Sequence, residues 1–263
     1  MNSWLPILAY HRICDVPRAD DPLNLCARPR DFERVLRYLA SHGYRFVSLD
    51  TAVDVMSESR SRREKLACLT FDDGYRDFYT HASPLLRKYG APATVFLVTG
   101  CIGDTNHWDD VYGLPPLPLL SREEVRELDA QGVEFGSHTV THRPLPELSA
   151  AEQTREIVDS KRALEELLDH PIRFFCYPHV NCDERVQSMV RDAGYSGACG
   201  GEQATHSRYL LHRVDVSRSG WLDTLFRIRG WRYSLQRSRR LRALRHSLLP
   251  SRGPFPEPTE VPR

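Results

Sequence analysis

Short apolar runs alternate with longer amphipathic stretches through most of this chain, and that alternation limits the fold more than any other feature. The runs at 6–10, 45–49, 66–71, 94–98, 133–136, 173–177, 196–199 and 210–214 have the length and composition of strands. Between them, 31–40, 78–89, 122–131, 151–168 and 183–193 carry helical patterns. In the first of these, Phe32, Val35, Leu36 and Leu39 share one face behind a capping Asp31. Ser121 followed by Glu123 and Glu124 puts acid at a helix amino end, where the dipole favours it. Gly43, Gly90, Gly132 and Gly194 each follow such a helix, where a carboxy-terminal cap needs positive φ. Repeated strand–helix units imply a parallel sheet with helices outside, open or closed into a barrel. Chemistry in such folds collects at the carboxyl ends of the strands.

With 263 residues and 41% hydrophobic content, the chain can bury about three quarters of its unfolded surface, enough for one large core. A net charge of +1 offers no field that would draw nucleic acid. Met1–His11 has no positive flank, and its apolar run is too short for a signal peptide or a transmembrane helix. The seven cysteines (14, 26, 68, 101, 176, 182 and 199) form no CxxC pair. An odd count without an export signal points to reduced thiols and a cytoplasmic location.

The chain divides into a barrel over 1–220, a basic amphipathic helical extension over 221–249, and a Pro-rich tail over 250–263 expected to be disordered. Within the barrel, 101–120 reads as a long rim loop carrying Trp108 and Tyr112. The extension interleaves Arg227, Arg229, Arg232, Arg237 and further arginines with Phe226, Trp231 and several leucines. It suits a solvated helix packed on the barrel, or a peripheral contact with the anionic inner face of a membrane. The oligomeric state is left open.

The chemistry lies in two short motifs. Asp72 and Asp73 directly follow one strand, in Thr70-Phe71-Asp72-Asp73-Gly74-Tyr75. His138 follows another strand by two residues, in His138-Thr139-Val140-Thr141-His142. Asp-Asp-Gly is also a good turn sequence, and paired histidines in a Thr-rich loop can be ordinary surface groups. Together, just past strand ends, they offer one carboxylate and two imidazoles for a divalent metal, with positions open for water and substrate. Two adjacent aspartates ionise together only if a cation or proton compensates one of them. A metal on Asp73 leaves Asp72 as a base, and metal-assisted hydrolysis is the leading reading.

These two motifs, with Arg173-Phe174-Phe175-Cys176-Tyr177-Pro178, resemble the first three motifs of the polysaccharide deacetylases, the nodulation-type group called carbohydrate esterase family 4. The similarity runs from about Pro6 to Val216, and the opening Tyr10-His11 resembles members with a circularly permuted barrel, the poly-N-acetylglucosamine deacetylases. The resemblance implies a distorted (β/α)7 barrel that removes N-acetyl groups from an N-acetylhexosamine-containing saccharide, either a polysaccharide or a lipid-linked precursor. It implies Asp72 as base, oriented by Arg173, and Asp73, His138 and His142 as ligands of Zn²⁺, or else Co²⁺, Ni²⁺ or Mn²⁺. It also implies an oxyanion donor at the Tyr75 backbone N–H. His11 and His212 compete as general acid: His212 fits a late Leu-x-His motif, but Leu211-His212-Arg213-Val214 also fits the ending of permuted members, which favours His11. Tyr177, Pro178 and Trp108 are expected along the substrate pocket. The chain departs from the family pattern in having Pro178-His179-Val180 where Pro-aromatic-Gly is usual, and in lacking a clear Asp/Trp motif. A hydrolase of non-sugar amides, or an inactive carbohydrate-binding relative, are the competing readings.

Overall fold

A computed structural model describes residues 5–57, 64–201, 206–216 and 221–228. Along the chain run β1 (Ile7–Tyr10), β2 (Arg12–Ile13), β3 (Cys26–Ala27), α1 (Pro29–Ser41), β4 (Tyr44–Val47), α2 (Leu49–Ser57) and β5 (Lys65–Phe71). Next come α3 (Ser83–Tyr89), β6 (Thr94–Leu97), α4 (Arg122–Ala130), β7 (Glu134–Ser137), α5 (Ala150–Thr154) and α6 (Ser160–Leu168). The last elements are β8 (Phe174–Cys176), α7 (Glu184–Asp192), β9 (Gly197–Cys199), β10 (His206–Ser207), β11 (Leu210–Leu211), β12 (Val214–Asp215) and α8 (Trp221–Ile228). The expected strands are all present, the last one split around His212 and Arg213. Helix α2 was not anticipated. One π-helical turn at Arg155–Asp159 joins α5 to α6, so the single helix expected at 151–168 continues through it.

Helix ends follow local chemistry. Ser121 and Glu124 form a capping box on α4, and Ser149 with Glu152 forms another on α5. Helix α1 starts earlier than its expected Asp31 cap: Pro29 occupies the first turn, and Asp31 instead pairs with Arg28 and Arg34 at 2.7 and 3.0 Å. The glycines read as caps, Gly43, Gly90, Gly132 and Gly194, all have positive φ.

The main sheet has the order β10-β11-β9-β8-β7-β6-β5-β1-β12, parallel except for the β10–β11 pair, with β4 on the first half of β5. Its topology forces it to curl. β11 pairs with β9 near one end of the order and β12 pairs with β1 at the other, yet only His212 and Arg213 separate them in the chain. The chain itself closes the seam of a distorted, permuted α/β barrel.

Period-two alternation sorts each strand into two cores. Ala67, Leu69, Phe71, Val95, Leu97 and Phe175 face the helices in the larger cluster. Leu66, Cys68, Phe96, Phe174 and Cys176 belong to a second cluster inside the barrel, with Leu49, Ala52 and Val53 of α2. Helix α2 underlies the amino ends of the strands: its Asp50 pairs with Arg173, and the Leu49 backbone hydrogen-bonds to Glu134.

The expectation of seven reduced thiols fails at one pair. Cys14 and Cys26 form a disulfide, brought together by the parallel pairing of β2 with β3, which sets their Cα atoms 5.7 Å apart. Cys68, Cys101, Cys176, Cys182 and Cys199 are free. Of the basic extension, α8 is described: Thr224 and Ile228 are buried, and the helix packs on α1. The remainder, 229–249, and the tail at 250–263 lie outside the described residues, and the proposed membrane contact goes with them. No described helix is long and apolar enough to cross a membrane.

Candidate active site

Two strands in register create the first part of the site. The inward alternation of Leu66, Cys68 and Thr70 continues to Asp72, which is 4% exposed. Pairing of Tyr10 with Phe71 places the next residue of each strand side by side, and His11 Nε2 lies 3.9 Å from Asp72 Oδ2. Asp73 then takes φ +73° and Gly74 φ +76°, which turns the chain over β6. The left-handed φ at Gly74 favours glycine, and a Cβ there would also meet Leu97 Cδ2 at 2.6 Å. The turn reading and the carboxylate reading of Asp-Asp-Gly are therefore both correct.

Arg213, in the barrel seam, grips Asp72 with a two-pronged guanidinium. Nη1 donates to Oδ1 and Nη2 to Oδ2, each at 2.7 Å, and Nε donates to the Gly200 carbonyl at 2.8 Å. Arg213 is 3% exposed. Burial pushes the Asp72 carboxyl up, but the charge and hydrogen bonds of Arg213 outweigh it, and the pKa ends below the usual carboxylate range. Burial likewise acts against the charge on Arg213, and Asp72 keeps it charged. Asp72 is thus held ionised, with both oxygens taken by Arg213.

Across the sheet, pairing of Ser137 with Phe175 puts His138 beside Cys176, and His138 Nδ1 bonds to the Cys176 carbonyl at 2.8 Å. That bond fixes the tautomer and leaves Nε2 facing Asp73 Oδ1 at 3.4 Å, while His142 Nε2 lies 3.3 Å from the same oxygen. Tetrahedral ligand atoms about 2.0–2.1 Å from an ion are separated by about 3.3–3.4 Å. The two carboxylate–imidazole separations match that, and the three donor atoms lie within 4.8 Å of one another, so the set could hold a divalent cation. Without one, burial favours a neutral Asp73, but hydrogen bonds from His138 and His142 hold it well below the carboxylate range. Burial lowers His142 to about 4. A second cluster, Asp72, His138 and Cys176, suits a metal poorly. Arg213 occupies both Asp72 oxygens, and burial raises the Cys176 thiol to about 11, whereas metals bind thiolate.

The second histidine arrives by a tight turn, not a helix. Thr139 and His142 have φ +70° and +64°, and Thr139 Oγ1 accepts from the His142 N–H at 2.9 Å. Buried Glu156 accepts from the N–H groups of Val140 and Thr141 at 2.7 and 2.9 Å. At the rim, Trp108 lies against His142 with ring centroids 4.7 Å apart, and His179 approaches the same ring at 4.7 Å.

These features coincide with the results of comparison. The family profile described as polysaccharide deacetylase matches residues 59–198. The Bacillus subtilis (strain 168) protein YxkH, named as a polysaccharide deacetylase, is 30% identical over 81% of this chain and 71% of its own length. This chain belongs to the polysaccharide deacetylase family. The poly-β-1,6-N-acetyl-D-glucosamine N-deacetylase of Staphylococcus epidermidis is 26% identical over 88% of this chain and 83% of its own. Among solved structures, the Streptococcus pyogenes deacetylase PplD in complex with acetate superposes with a TM-score of 0.71 at 27% identity, covering 84% of this chain and 96% of that one. IcaB from Ammonifex degensii also gives 0.71, at 26% identity, over 84% and 94%.

The deacetylase places several expected site residues elsewhere. Arg173 does not orient Asp72: it precedes β8 at the amino end of the barrel, is 46% exposed on its side chain, and pairs with Asp50 at 2.6 Å. Arg213 holds that place. Tyr177 is a core residue and not a pocket wall, 1% exposed, with its hydroxyl donating to the Tyr209 carbonyl at 2.9 Å. Pro178 is buried and opens the turn that carries His179. The Tyr75 ring is buried, its hydroxyl donating to Asp109 at 3.3 Å. His212, partly buried, precedes Arg213 in the seam. Sequence reasoning missed the contributions of Arg213, Glu156 and Asp109, whereas His179 stood out as the departure in Pro178-His179-Val180. The Leu-x-Arg ending was the available signal for Arg213.

Proposed function

We propose that this deacetylase hydrolyses N-acetyl groups on N-acetylhexosamine units of a polysaccharide, releasing acetate and leaving a free amine. Poly-β-1,6-N-acetyl-D-glucosamine, named for the Staphylococcus epidermidis relative, is the first polymer to try. The observation that carries this reading is an ionised carboxylate, Asp72, held between Arg213 and His11 beside a separate set of three ligands. Asp73, His138 and His142 would hold a divalent cation, Zn²⁺ first, with Co²⁺, Ni²⁺ and Mn²⁺ as alternatives. Such an ion supplies Lewis acidity toward the amide carbonyl and toward water.

Asp72 takes the proton of the attacking water. Arg213 keeps it a carboxylate until then and fixes its plane. His11 gives a proton to the departing amine, which cannot leave as an anion. Its position at the end of β1, next to Asp72, supports His11 over His212. The Tyr75 backbone N–H, just past the Asp73–Gly74 turn, would donate to the developing oxyanion. Trp108 lies against His142, on the side from which substrate would approach the three ligands. The Cys14–Cys26 disulfide supports an oxidising compartment and argues against the cytoplasmic location read from the sequence.

The test is hydrolysis with and without a chelator, read as acetate release from acetylated glucosamine polymers and from lipid-linked and nucleotide-linked acetylated saccharides, as formate release from formamides, and as ring opening of cyclic imides. Metal-dependent acetate release from the saccharides is expected. Turnover confined to non-sugar amides would replace this reading with the competing hydrolase. Binding without turnover would leave an inactive carbohydrate-binding relative.

A further inference from the structure

The two histidine ligands are supported differently. His138 fixes its distal nitrogen, Nδ1, through the Cys176 carbonyl at 2.8 Å. His142 is also buried, yet its Nδ1 has no hydrogen-bond partner among the described residues. A metal-binding imidazole ordinarily relies on such a partner to set its orientation. Around His142 there are rings instead. Trp108 lies 4.7 Å away at an interplanar angle of 34°, and His179 lies 4.7 Å away, edge-on at 64°. The His179 ring also hydrogen-bonds to the His142 backbone, which is held at φ +64°.

Each of those rings is itself anchored. Trp108 sits in a turn fixed by its neighbours: Asn106 Nδ2 donates to Asp109 Oδ2 at 2.8 Å, and Asn106 Oδ1 accepts from the Leu117 N–H at 2.6 Å. Tyr75, from the Asp-Asp-Gly-Tyr motif, donates to the same Asp109 oxygen at 3.3 Å. His179 follows buried Pro178 in a turn with φ +53°.

We propose that Trp108 and His179 are positioning residues for His142, orienting its imidazole toward Asp73 by ring contact where His138 uses a hydrogen bond. Resting on the metal-site reading above, this makes metal affinity a property of the rim loop and not of the ligands alone. It also gives a physical role to the departure at Pro178-His179-Val180.

The test is metal binding by the full-length apo-protein, measured with Zn²⁺ or Co²⁺ against a chromophoric chelator, so no turnover is needed. Trp108→Ala should weaken binding by about tenfold or more, the range seen when supporting partners of metal ligands are removed. Trp108→Phe should restore most of it, because a flat apolar face is what the site uses. His179→Gly keeps the left-handed backbone accessible while removing the ring, and should also weaken binding. The idea is overturned if Trp108→Ala and His179→Gly bind metal like the wild type and only raise KM for saccharide, since both would then be cleft walls. Failure of Trp108→Phe to rescue overturns it too. A wild-type protein that binds no metal would refute the parent reading instead.

Discussion

The two ends of this barrel each hold a buried or half-buried arginine–aspartate pair, and the pairs do different work. At the amino end, Arg173 reaches Asp50 through one contact at 2.6 Å, half in solvent, beside a mouth plugged by the apolar face of α2. At the carboxyl end, Arg213 binds both oxygens of Asp72 in full burial, among Thr70, Cys176 and His11. Sequence alone makes the two arginines equivalent, since each borders a strand near a motif. Which end of the strand it borders decides the outcome. Cys176 lies three residues beyond Arg173, about 10 Å along the strand, so Arg173 falls well short of the carboxyl rim.

The contrast can be broken by substitution. The largest effect is expected from Asp72→Asn, which keeps shape and removes the base: kcat for acetate release should fall about 10²- to 10⁴-fold, and Tm should fall with it, because buried Arg213 loses its counter-charge. Near-wild-type turnover would remove Asp72 from the chemistry. His11→Ala should cut kcat on a similar scale, while His212→Ala retains more activity, and the reverse order would assign the acid to His212.

Arg213→Met should have two consequences. Asp72 is left buried without its partner, so stability should fall by about 3–5 kcal/mol in chemical denaturation. With the guanidinium gone, burial is opposed only by the weaker pull of His11 and His138, so the Asp72 pKa should rise and the acid limb of kcat/KM should move to higher pH. Arg213→Lys, which keeps charge and loses the fork, should lie between, and an unmoved acid limb in both variants would contradict the pairing. The sign for stability runs with it. Because the folded pKa of Asp72 is below its unfolded value near ~3.9, its contribution is present above that value and lost as pH falls through the folded one.

At the other end, Phe174→Ala should cost about 3–5 kcal/mol through the cavity it leaves, while activity per folded molecule is retained. The smallest effect is expected for Arg173→Ala, within about 1 kcal/mol and without change in kcat, as for exposed ion pairs generally. Loss of activity there would erase the distinction between the two ends.

How legible each feature was in the sequence depends on the range of the interaction behind it. The strands announced themselves because a buried parallel strand is a continuous apolar run, and the glycine caps because their φ is locally dictated. Asp73, His138 and His142 were readable from motifs at strand ends. Helix α2 was missed because Thr51, Val53 and Val55 weaken helical propensity, although Ser48 Oγ accepts from the Thr51 N–H at 3.2 Å at its start. Glu156 was hidden in a helix, where nothing local reveals that it caps a turn 16 residues earlier. The Cys14–Cys26 bond depends on the pairing of β2 with β3, and Arg213 on which strands flank the seam. Such facts belong to topology, which residue spacing does not encode.

That seam has a consequence for how the protein comes to be. The aspartates and histidines of the motifs all precede Arg213, so a growing chain holds the whole Asp73, His138 and His142 cluster before the guanidinium that governs Asp72 exists. Until Leu211 joins β9 and Val214 joins β1, Asp72 lacks its counter-charge. Closure of the seam and pairing of Asp72 are thus one event, and a chain stopped short of residue 213 would carry both motifs without the charge that holds Asp72 ionised.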